Sequence, residues 1–135
     1  MGTARIEQLA LARFLTRGDL DRHLRRMRIR YRARRDAMVA ALAAELPEAA
    51  VTGIAAGLHV TVALPADDDA EAIRRAAAAR GLALSTMADY TGPAAGGGHP
   101  PTLILGYSQL TEARIRGGIR ELAAVIGTTR RGVLR

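Results

Sequence analysis

Hydrophobic positions in the first third of the chain fall at helical steps. From Asp19 to Leu46, the residues Leu20, Leu24, Met27, Tyr31, Met38, Leu42 and Leu46 recur at three-, four- or seven-residue intervals, which places them on one helix face. Eight arginines between Arg22 and Arg35 fill the remaining positions. The pattern predicts one long helix. Gly18 precedes it, Asp19 is suited to cap its free N–H groups, and Pro47, which has no N–H, ends it. Ile6, Leu9, Ala10 and Phe14 predict a shorter helix over Arg5 to Thr16.

The period then changes to two. In Leu58 to Leu64, Leu58, Val60, Val62 and Leu64 alternate with His59, Thr61 and Ala63, the mark of a half-buried strand. Ala50–Thr52, Leu82–Thr86 and Leu103–Tyr107 predict three further strands. A helix is expected from the Asp67–Asp69 cluster to Arg80, closed by Gly81. Another is expected from Thr111 through Ile126, carried by Ile115, Ile119 and Leu122 and ended by Gly127, with a loop over Tyr90 to Pro101. This order predicts an α+β fold: a small, mostly antiparallel sheet covered by helices, with a long N-terminal helix.

A chain of 135 residues fits one domain and can bury a real core. Its formal charge is +7, from 20 basic and 13 acidic residues, and every basic residue is arginine. Without lysine, no side-chain amine can form a Schiff base. Without cysteine, disulfides and thiolate chemistry are excluded. His23, His59 and His99 lie too far apart in sequence for metal-ligand spacing. No apolar run reaches the roughly 20 residues of a membrane span. Met1 to Arg17 lacks the apolar centre of a signal peptide, so the expected compartment is the cytoplasm.

Candidate chemistry is sparse. The arginine run suits phosphate contacts, but also a solvated helix face or a face that meets another domain. Gly96–Gly98 lacks the following helix and the lysine of a phosphate loop. Ser85, Ser108 and Tyr90 have no base beside them in sequence. His59 lies on the strand face opposite Val60 and Val62, where it could meet a ligand.

Three stretches together, Glu7 to Leu42 (with HLRRMR and YRARRD), Ala55 to Pro65 (AAGLHVTVALP) and Leu103 to Ile126 (LILGYSQLTEARIRGGIRELAAVI), resemble the C-terminal end of MocR-type regulators. These are GntR-family transcription factors with an effector domain similar to a class I, fold-type I aminotransferase. The resemblance implies that residues 1–18 are a remnant of the large domain or connecting helix, 19–127 the aminotransferase-like small domain and 128–135 a basic tail. It implies pyridoxal phosphate in a full-length parent, held by a lysine of a large domain, and none in this chain. It implies partners of three kinds: that large domain or a homodimer partner, an amino-acid or amine effector, and DNA reached only through a winged helix outside this sequence. No membrane partner is implied.

Aminotransferases carry a carboxylate-clamping arginine on the last small-domain strand, and the matching position here is Ile104. Tyr90 falls where the family often has an aromatic residue. Tyr90 and His59 are thus the effector-side candidates, with no catalytic, cofactor-anchoring or metal residue expected. Such a chain alone would be no enzyme, and would expose part of its helix stripe and self-associate or be marginally stable. Two other readings stand beside this one: a stand-alone ligand-binding or assembly module, and a basic nucleic-acid-binding protein.

Overall fold

The computed structural model describes residues 18–52, 59–91 and 98–133; the helix predicted over Arg5 to Thr16 lies outside them. The chain divides into two units, Met1–Arg32 and Ala33–Arg135. The elements are α1 (Asp19–Glu45), β1 (Ala50–Thr52), β2 (His59–Ala63), α2 (Ala70–Ala79), β3 (Ser85–Thr86), α3 (Met87–Thr91), β4 (Thr102–Gly106) and α4 (Glu112–Val133).

Gly18, at φ +70°, opens α1 by turning its carbonyl onto the Arg22 N–H at 3.3 Å. Asp19 is therefore already helical, and its carboxylate takes the Arg22 guanidinium at 2.8 Å in place of the expected backbone cap. In the Ala33–Arg135 unit the α1 stripe is core: Met38, Ala41, Leu42 and Leu46 are buried. In the Met1–Arg32 unit the same stripe is open, with Leu20, Met27 and Tyr31 partly exposed and Leu24 39% exposed.

The four strands form one antiparallel sheet in the order β1-β2-β4-β3. Its register explains the burial. Val51, Val62, Leu103 and Thr86 lie across one row, and Val60 and Leu105 across another. Side chains of these rows point to one face, as period two requires. There they join Ile73 and Ala77 of α2, Ile115, Ile119, Leu122, Val125 and Ile126 of α4, and the buried end of α1 in a single core. The predicted fold class is thus the observed one.

Helix ends follow from local chemistry. Asp69 caps α2 by accepting the Ala72 N–H at 3.0 Å, and Thr111 Oγ1 accepts the Arg114 N–H at 3.2 Å for α4. Gly81, at φ +81°, supplies the left-handed turn after α2. Asp69→Ala is expected to cost about 1 kcal/mol of stability, measured by urea unfolding.

Two further expectations are corrected. The strand expected over Leu82–Thr86 pairs only at Ser85 and Thr86, because the Leu82 N–H turns back to the Ala77 carbonyl at 2.9 Å. The last helix passes through Gly127 and is helical to Val133, the last of the described residues. The Thr128 and Thr129 hydroxyls bond back to the Ala124 and Val125 carbonyls, and Arg130 is tied to Asp68 and Glu48. Asp68 is thus the buried partner of a distant arginine, where the sequence reading had it at the helix start for the dipole alone.

Candidate functional site

The sheet face opposite the core is the candidate ligand-facing surface. Its central row is Thr52, Thr61, Ile104 and Ser85, one residue from each strand. Thr61 Oγ1 donates to the Thr52 carbonyl and accepts from Thr52 Oγ1, both at 3.2 Å. Ile104 is partly buried between them and Ser85, and it presents hydrocarbon where a charged side chain would be needed to bind a carboxylate.

His59 pairs with Gly106 on this face and is exposed. Its ring lies over the glycine backbone: a Cβ added at Gly106 would sit 3.5 Å from His59 Cδ2. Tyr90 falls in α3, which follows β3 directly; its side chain lies outside the described residues. Sequence reasoning missed α3, which begins where the Asp89 carboxylate accepts the Thr86 N–H at 2.9 Å.

A groove of about 720 Å³ opens beside the sheet. The turn at Gly81–Ala83, the turn at Ser108–Leu110 and the Gly117–Gly118 step of α4 line it. A smaller hollow lined by Met38, Leu105 and Ile119 leads inward. Arg114 and Glu121 stand at the rim. The lining is mostly apolar, with Ser108, Gln109, Arg114 and Glu121 as its polar members, so the groove can bury hydrocarbon beside a few polar groups. A sequence signal for it existed: two adjacent glycines inside a helix are costly unless the surface there must stay low.

Among the described residues, no histidine or carboxylate is hydrogen-bonded to the Ser85 or Ser108 side chain, and no three His, Asp or Glu side chains cluster for a metal. The Ser108 carbonyl is taken by the Arg34 guanidinium, which ties α1 to the turn after β4. Among the described residues, no helix is long and apolar enough to cross a membrane.

No family model matches the chain. It is 37% identical over 119 residues to the HTH-type transcriptional regulator YhdI of Bacillus subtilis, covering 85% of this chain and 24% of the regulator. The chain thus spans about a quarter of the length of that curated relative. Among solved structures it resembles the α-aminoadipate aminotransferase LysN of Thermus thermophilus, which is complexed with N-(5'-phosphopyridoxyl)-L-leucine. There the identity is 29% and the TM-score 0.75, over 90% of this chain and 31% of that one. It also resembles the multiple substrate aminotransferase of Thermococcus profundus, at 28% identity and a TM-score of 0.74, over 87% of this chain and 29% of that one.

The likeness to aminotransferases raises pyridoxal phosphate, and the residues present do not fit its covalent anchoring. None of the 135 residues is lysine, and the side chains on the open sheet face are hydroxyls, an imidazole and hydrocarbon.

Proposed function

The chain belongs to the MocR-type regulators through their aminotransferase-like part, and from that premise we propose that it is a C-terminal effector-sensing segment that has no activity alone. In this reading the open sheet face is one wall of a cleft. The other wall, with a lysine that holds pyridoxal phosphate, belongs to a large domain outside this sequence. The observation that carries the reading is the combination of a fully cored small sheet with an open face that bears Ile104 and no primary amine. Ile104 cannot grip a substrate carboxylate, so the surface suits detection of an amino acid or amine better than its turnover. Tyr90 and His59 are the effector-side residues of the proposal.

The parent acts in the cytoplasm and reaches its operator through a winged helix outside this sequence. The open stripe of Leu20, Leu24, Met27 and Tyr31 is the surface that meets the large domain or a second subunit.

The test is direct. Pyridoxal phosphate is added to the purified chain, the mixture is reduced with borohydride and the intact mass is measured. An adduct confined to the N-terminal amine is expected, together with no aminotransferase activity on a panel of amino acids and amines. Turnover, or an adduct that forms when that amine is blocked, contradicts the proposal.

A further inference from the structure

Among the described residues, five arginines without a carboxylate partner follow one another in α1, while Arg75, Arg114 and Arg120, which also lack one, are spread over α2 and α4. In the Ala33–Arg135 unit, Arg74, Arg80, Arg116 and Arg130 pair with carboxylates. In α1, Asp19 takes Arg22 and Asp36 takes Arg35. Arg25, Arg26, Arg28, Arg30 and Arg32 are all exposed and have no carboxylate partner among the described residues. These five lie within the Met1–Arg32 unit. Like charges three and four residues apart, as in Arg25/Arg28, Arg26/Arg30 and Arg28/Arg32, weaken a helix unless an outside anion lies between them.

Their arrangement identifies the anion. At roughly 100° per residue, Arg25, Arg28 and Arg32 line one side and Arg26 and Arg30 the other. Ile29 stands between the two lines and is 62% exposed. Leu24, Met27 and Tyr31 lie on the far side of the helix. A helix about 10–12 Å across fits a DNA major groove about 12 Å wide, whose two walls are rows of phosphates. A membrane-surface helix would instead turn a broad apolar face into the lipid, with its cations on the polar side. Here the outermost face is cationic and only Ile29 breaks it.

We propose that this face of α1 seats in the major groove of duplex DNA and contacts phosphates of both walls without reading bases. This goes beyond the reading above, in which DNA is reached only through a winged helix outside this sequence; it stands or falls independently of pyridoxal phosphate.

The test uses the full chain and a fluorescent mixed-sequence duplex, with anisotropy followed from about 50 to about 200 mM salt. Five phosphate contacts, at about 0.9 counterion each, give a log–log slope of about −4.5, so binding weakens about 500-fold over that range. Replacing Arg25, Arg28 and Arg32 by Gln is expected to reduce the slope to about −2. A second triple, Arg75→Gln, Arg114→Gln and Arg120→Gln, removes the same charge from the other unit and leaves the slope unchanged. Circular dichroism checks that α1 persists. If the first triple loses helix, the single Arg28→Gln variant, with a slope loss of about one, replaces it. The proposal is overturned by a slope shallower than about −2 in the unaltered chain, by equal losses in the two triples, or by binding to phosphatidylserine vesicles without binding to the duplex.

Discussion

Leu42→Ala is expected to lower unfolding stability by about 3–4 kcal/mol, the largest effect of any single truncation in α1. Leu42 is fully buried, and removing three carbons from a close-packed site costs their transfer energy plus the cavity left behind. Against a total of about 5–15 kcal/mol, that loss brings the melting temperature down by more than 10 °C. Leu24→Ala, on the same stripe and the same helix, is expected to cost under about 1 kcal/mol, since Leu24 is 39% exposed. Thermal melts of the two variants side by side measure where the core ends along α1. Equal losses would mean that the open half of the stripe is packed as tightly as the closed half.

Arg130→Ala is expected to cost about 2–3 kcal/mol. Its guanidinium donates to both Asp68 oxygens, at 2.8 and 2.7 Å, and to Glu48 at 3.0 Å. The Asp68 side chain is 5% exposed, so removing Arg130 strands a buried carboxylate. Breaking a fully buried pair costs about 3–5 kcal/mol; Arg130 is itself 38% exposed, which admits water and reduces the figure. Arg130→Ala combined with Asp68→Asn is expected to recover part of the loss, and the double-mutant cycle isolates the pair energy.

The acid limb carries a second signature. A backbone hydrogen bond and then the Arg130 guanidinium hold the Glu48 carboxyl below its ordinary value of 4.5. A carboxyl depressed in the fold adds stability above that ordinary value and gives it up as pH falls through the lower folded one. The gap between the parent chain and Arg130→Ala is therefore expected to narrow below about pH 4.5. A gap constant down to pH 3 would mean that Arg130 acts through packing alone.

Much of the fold was legible because burial and period coincide. Val60 and Val62 alternate with Thr61 in sequence and in exposure, and Ile115, Ile119, Leu122 and Ile126 keep helical spacing and are buried. What escaped depends on partners far away in sequence. Arg130 reads as tail until Asp68, 62 residues earlier, reaches it. Leu82–Leu84 reads as strand until β4 pairs only with Ser85 and Thr86. The candidate site was less legible than the fold. His59 could be placed opposite Val60 and Val62 from alternation, and Ile104 at the clamp position only through the family resemblance; the groove is built from two turns and the Gly117–Gly118 step of α4, which only folding brings together.

The central claim, a small domain that supplies one wall of a cofactor cleft and no anchor, is tested most directly by equilibrium dialysis of pyridoxal phosphate against the chain with its N-terminal amine blocked. Retention no greater than that of a dialysis blank is the predicted result. Saturable binding near one molecule per chain would contradict it, because the cleft would then be complete within these 135 residues.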